Sequence, residues 1–284
     1  MVGSGLWMDI ERQLQRAIHQ LGRPGDARHD GIHQARKALR RSRAVLALAA
    51  PAWSRPSRAA DADESPLQQR AADVLRRADA ELRLLCRGLS SLRDADALQD
   101  ALLHLVRDAV IGPLEGERLG IPVLALRQRR LDAALARDPD FARRRQRIAK
   151  VAATLSTLPW ADVAASSVVK AHAQARERLE KARRRSRRSN DPEDGHRLRR
   201  RLRRLRQQEQ VLARAAPELA LRTEGLETLA TQMGLAQDHA LLLAHCRRAG
   251  VFAARDRATL RRLVEPLYAD ARECTAATLA ERKV

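Results

Sequence analysis

Aromatic residues make up only 2% of this 284-residue chain, which holds three tryptophans, two phenylalanines and one tyrosine. So small a supply argues against bases stacked on interleaved rings, the usual way single-stranded nucleic acid is held. The three cysteines, Cys86, Cys246 and Cys274, lie far apart, which excludes a dense disulfide framework and a CxxC metal site. A reducing, cytoplasmic setting is expected. No apolar run approaches the roughly 20 residues needed to cross a bilayer, and the N-terminus lacks a charged start followed by an apolar stretch, so no leader, span or membrane partner is expected. Lysine is scarce too, limited to Lys37, Lys150, Lys170, Lys181 and Lys283 among 55 basic residues.

What the chain does have is arginine, and with it a formal charge of +20 against 35 acidic residues. An excess of this size opposes compaction by self-repulsion and implies a polyanionic partner. Arginine's planar fork suits bidentate contact with phosphate oxygens. A GC-rich genome would also favour arginine and alanine, but it explains neither the net charge nor the spacing described below.

Apolar residues recur at three and four along almost the whole chain, and sustained strand-type alternation is absent, so the fold is expected to be all-α. Helices are predicted near residues 6–21, 31–49, 66–88, 93–109, 121–136, 140–157, 163–188, 194–214, 218–233, 237–249 and 255–280. Pro51, Gly88, Gly112 with Pro113, and Pro159 punctuate them. Short turns between long helices imply antiparallel bundles. A division near Pro159 gives two halves, 1–158 and 159–284.

The halves share a motif. HQARKALRRSR, His33 to Arg43, recurs as HRLRRRLRRLR, His196 to Arg206, at a constant offset of 163 residues. At about 100° per residue, Ile32, Ala35, Leu39 and Leu46 fall on one arc of the first copy. His33, Arg36, Lys37, Arg40 and Arg43 fall on the neighbouring arc. The second copy repeats the division, with Leu198, Leu202 and Leu205 inward and His196, Arg199, Arg200, Arg203 and Arg206 on the other side. Like charges three and four residues apart destabilise an isolated helix by tenths of a kcal/mol per pair, and an arriving polyanion relieves that cost. Residues 183 to 206 hold twelve arginines, yet the three leucines within the run supply an apolar stripe to dock.

The two copies resemble the paired signatures of the CHAD domain, the conserved histidine α-helical domain, whose patterns are similar to HxxRxxxRRxR and HxxRKxxKRLRY. SLRDADAL, Ser91 to Leu98, is similar to the family's RDxDxL segment, and MGLAQDHALLL, Met233 to Leu243, to its LGxxxDxxxL segment. The likeness spans essentially the whole chain. Gln207 stands where the family often has tyrosine, and Glu209 where it is often apolar. The resemblance implies two pseudo-symmetric four-helix bundles with a shared basic central groove or pore that binds inorganic polyphosphate. Carried over, the ligand-facing set is His33, Arg36, Lys37, Arg40, Arg41 and Arg43 with His196, Arg199, Arg200, Arg203, Arg204 and Arg206. Of these, Arg41 and Arg204 sit at the edge of the cationic arc, where solvent or an acidic neighbour could claim them.

His33 and His196 are expected to be structural, each a neutral imidazole able to donate to phosphate. His29 and His33 are four apart, but Asp30 and Gly31 suggest a helix start and no third metal ligand is identifiable. Asp94, Asp96 and Asp100, and Asp238 with His239, are read as helix N-terminal residues that pair with signature arginines. Triphosphatases sometimes fused to CHAD domains carry an ExExK motif, absent here. The expected function is therefore non-catalytic polyphosphate binding, needing no cofactor or metal and placing the protein at polyphosphate granules. Nucleic-acid binding through the backbone is the alternative.

Overall fold

The computed structural model describes residues 2–53, 66–189, 191–247 and 249–281. Among them are ten α-helices and no strands: α1 Val2–Leu21, α2 Ala27–Ala49, α3 Pro66–Gly88, α4 Ser90–Arg107, α5 Pro113–Arg137, α6 Ala142–Ser156, α7 Ala165–Arg188, α8 Pro192–Ala215, α9 Leu226–His245 and α10 Ala254–Glu281. Short 3-10 turns link several of them. The protein is all-α, and among the described residues no helix is long and apolar enough to cross a membrane.

The helices form two compact units, one from Met1–Leu89 with Asp140–Glu224, the other from Ser90–Pro139 with Gly225–Val284. This cuts across the division at Pro159, because each unit takes helices from both halves. In the first unit α1 packs along α2 and α7 along α8, while α2 touches both α7 and α8 and α1 touches α8. Helix α3 lies on α2 and α6, and α6 on α1. In the second unit α4 packs on α5, α9 on α10, and α4 on α9. Each hairpin packs mainly between its own two helices, and contacts of α2 with α7 and α8 and of α4 with α9 join hairpins from the two halves.

The inward stripes expected of the signature helices form the first unit's core: Ile32, Leu39, Leu46, Leu198, Leu202 and Leu205 are all at most 1% exposed. Each such side chain contributes roughly 1.5–3 kcal/mol. The second unit is centred on Leu98, Leu102, Leu105, Val123, Leu242, Phe252, Leu260 and Val264.

Three helix boundaries differ from expectation for local reasons. Helix α2 begins at Ala27, not at Gly31. Gly31 is a crossing residue, since a Cβ there would sit 2.2 Å from the Gln20 carbonyl oxygen at the end of α1. Helix α5 begins at Pro113, where proline at the first helical position costs no hydrogen bond, and continues through Pro122. A single helix, α9, replaces the two expected across 218–249.

Candidate anion-binding site

Helix α8 starts where turn chemistry places it. The Asp191 carboxylate accepts from the Glu193 N–H at 2.9 Å, and Pro192 takes the first helical position. Its leucine stripe then docks α8 against α2. Gln208, 1% exposed, donates its side-chain amide to the Ala44 carbonyl at 3.1 Å. The two signature helices are thus in direct contact within one unit.

Helix α3 covers one edge of the α2 cationic face. Arg43 donates to both carboxylate oxygens of Asp79 at 2.8 and 3.0 Å, and Arg36 donates to the Cys86 carbonyl. Burial pushes the Cys86 thiol above its ordinary pKa, opposed by the charges of Arg36, Arg43 and Arg40. Arg43 and Arg36 thus reach α3 two turns apart, at Asp79 and Cys86. Sequence periodicity left this face open to solvent because it carries no information on which helix packs over it.

On α8 the focus is Arg204, which is half-buried. Burial holds its guanidinium below the ordinary arginine pKa, aided by Arg43, Arg201 and Arg178 and opposed by Asp79. Arg201 is lowered in the same way, by burial and then by Arg178, Arg200 and Arg197. Cations from α2, α7 and α8 thus crowd one locus. Arg178 and Arg201 were absent from the sequence-derived set: Arg201 falls outside the repeated spacing, and Arg178 joins only because α7 packs on α8.

The repeat-equivalent residue Arg41 meets the opposite fate. It donates to Asp9 on α1 at 3.3 Å, and Asp9, 2% exposed, also holds Arg12 at 3.4 Å and Arg214 at 3.0 Å. Arg41 is thereby turned away from the cationic face. At the 163-residue offset Asp9 corresponds to His172, which is 2% exposed and bonds Glu209 at 3.0 Å. The position that supplies the carboxylate to Arg41 in the first copy is thus taken by a histidine in the second. Glu209 is further satisfied by the Thr223 hydroxyl at 2.7 Å, which explains a carboxylate at a position expected to be apolar.

The remaining residues of the carried-over set vary in exposure. Arg40, Arg199, Arg203, Arg206 and His33 are half-buried, whereas Lys37, Arg200 and His196 are exposed. Arg200 is paired with Glu193 on its own helix.

The acidic residues in the second unit are placed differently than expected. Asp94 and Asp96 lie past the first turn of α4, and Asp238 lies in the middle of α9. Asp96 pairs with Arg127 on α5 at 2.5 Å and Asp94 with Arg93 at 3.3 Å, and neither arginine belongs to the signature helices. His29 and His33 share α2. Among the described residues no group of three or more His, Cys, Asp or Glu could hold a metal ion.

The charge is divided unequally. The first unit holds 39 basic and 20 acidic residues, net +19, and the second 16 and 15, net +1. The tryptophans are occupied with one another: Trp7 and Trp160 stack at 5.6 Å and Trp53 meets Trp160 edge-on at 5.3 Å. No family model matches the chain, and no curated protein or solved structure matches it at a significant level.

Proposed function

We propose that this chain is a non-catalytic module that binds inorganic polyphosphate across the contact of α2 with α8. The observation that carries the reading is the cationic crowding at Arg204. Arg43, Arg178 and Arg201 bear on a half-buried guanidinium, opposed by the Asp79 carboxylate. A multivalent anion relieves that repulsion, and arginine forks supply the donors its oxygens require. Arg36, Arg40, Arg199, Arg203 and Arg206, with His33 and His196, extend the surface along both helices. Arg41 is left out, because Asp9 holds it.

Further support comes from the likeness of the two basic motifs to the CHAD signatures and from the placement of almost all net charge in the unit containing them. In this reading the paired hairpins are the family's pseudo-symmetric bundles and the α2–α8 contact lines its basic groove. A cytoplasmic protein of this kind would gather at polyphosphate granules. Polyphosphate is favoured over nucleic acid because bases need stacking surfaces, and the three tryptophans pack against each other.

The test is calorimetric titration with long-chain polyphosphate and with charge-matched RNA at physiological salt. Polyphosphate should bind the more tightly. RNA binding of equal or greater strength would instead identify a nucleic-acid module.

A further inference from the structure

We infer that a cleft between the end of α7 and the start of α8 is a second anion subsite, which takes compact chains of two or three linked phosphate groups. It lies outside the α2–α8 surface and uses none of its residues. The cleft encloses about 520 Å³ and is lined by Lys181, Arg184, Arg185, Arg188, Ser189 and Asp194. That volume falls within the range of small-molecule sites, roughly 300–1,000 Å³, and four of the six lining side chains are cations.

The cleft is also built rather than merely exposed. Asp194 is 3% exposed and forms an ion pair with Arg185 at 2.8 Å, with Arg197 at 3.6 Å behind it. A buried carboxylate thus fixes one arginine on the cleft wall. Arg184 reaches Glu180 only at 4.0 Å, and Lys181 pairs with Glu177 at 2.7 Å on the exposed side of α7. The Lys181–Glu177 pair is solvent-exposed, and such pairs are worth about 0–1 kcal/mol, so an oligophosphate displaces Glu177 at small cost, while Glu180, which also pairs with the buried Arg183 at 3.5 Å, makes only a long contact to Arg184. Arginines in the last turn of α7 would be expected from the helix dipole alone, but that account needs neither a cleft nor the buried Asp194.

The experiment is titration with inorganic triphosphate, followed by backbone amide shifts and calorimetry. It uses the wild type, Arg184→Ala/Arg188→Ala, Asp194→Asn, and a variant with Arg36, Arg40, Arg199 and Arg203 replaced by alanine. In the wild type, shifts should include residues 181–194. Arg184→Ala/Arg188→Ala should weaken that binding by about tenfold, since two charge-assisted hydrogen-bond donors are removed, with an unchanged melting temperature because both residues are exposed. Asp194→Asn should weaken it, because Arg185 loses the buried carboxylate that fixes it on the cleft wall. The four-arginine variant should keep the cleft response while losing long-chain polyphosphate. The inference fails if triphosphate does not bind, if its affinity is unchanged in Arg184→Ala/Arg188→Ala, or if the four-arginine variant abolishes it. A preference of the α2–α8 surface for RNA over long polyphosphate would overturn the proposed function and leave the triphosphate result standing.

Discussion

The side-chain amide of Gln208 on α8 donates to the backbone carbonyl of Ala44 on α2 at 3.1 Å, joining residues 164 apart in sequence. Because Gln208 is 1% exposed, this bond fixes the register of the two basic helices in a water-free environment. The amide oxygen is buried without a hydrogen-bond partner, so Gln208 secures alignment at a desolvation cost. Gln208→Ala should destabilise the protein by about 2 kcal/mol, through loss of the bond and the void left behind. Gln208→Met should cost less in urea unfolding, since it fills the space and removes the unsatisfied oxygen, yet it should weaken polyanion binding by loosening the register.

Replacing Arg36, Arg40, Arg199 and Arg203 with alanine should remove most polyanion affinity, by about a hundredfold or more, without unfolding the chain. The slope of log affinity against log salt should shrink by about one for each phosphate that is no longer neutralised. Circular dichroism should be unchanged, and the melting temperature should hold or rise because self-repulsion falls. Retention of wild-type affinity would rule out the α2–α8 surface.

Asp79 opposes the proposed ligand directly, as its two oxygens take the Nε–H and one Nη–H of Arg43. Asp79→Asn should therefore tighten polyphosphate binding by about threefold or more. The stability loss should stay below about 1 kcal/mol, as the pair is partly solvated. Calorimetry and thermal melting of one preparation measure both effects.

Asp9 behaves differently, being a buried anion shared by Arg12, Arg41 and Arg214. Asp9→Ala should cost about 3 kcal/mol in urea unfolding, because Arg41, largely buried, loses its countercharge. Polyphosphate affinity of the folded variant should not fall, since Arg41 faces away from the proposed surface.

Acid should weaken the second unit through two histidines. Burial lowers the pKa of His239 from its ordinary 6.5, with Asp238, Asp108 and a backbone bond to Leu267 opposing the shift and His104 adding to it. Burial likewise lowers that of His245, with Arg130 adding and Asp94 opposing. The unfolded chain takes up these protons first, so stability is fully present above about pH 6.5 and falls as pH drops toward the folded values. A double His239→Gln/His245→Gln variant should show a flatter stability profile between pH 7 and pH 5 in denaturant titrations.

Much of the architecture was legible in the sequence. The helical spacing of Ile32, Leu39 and Leu46, and of Leu198, Leu202 and Leu205, marks their buried faces. The second histidine-led helix is visible as a copy of the first. Less of the candidate site was legible. Arg41 and Arg204 occupy the same position in the repeat, yet Asp9 claims one while the other lies among cations. Arg178 has no motif of its own, and Gly31 reads as a helix start until the α1 backbone is seen beside it.

The sequence by itself determined that the chain is helical, that each helix has one apolar face, that two helices share a cationic pattern, and that the net charge is large and positive. These follow from local geometry and composition, which each segment carries alone. The tertiary structure decided which faces meet: hairpins from both halves in each unit, α3 over the edge of α2, and α7 beside α8. Helices with similar Leu/Ala stripes can pair in many ways, and periodicity does not rank them. The choice rests on complementary packing and on single buried groups such as Asp9, His172 and Gln208, whose partners lie far away in the chain.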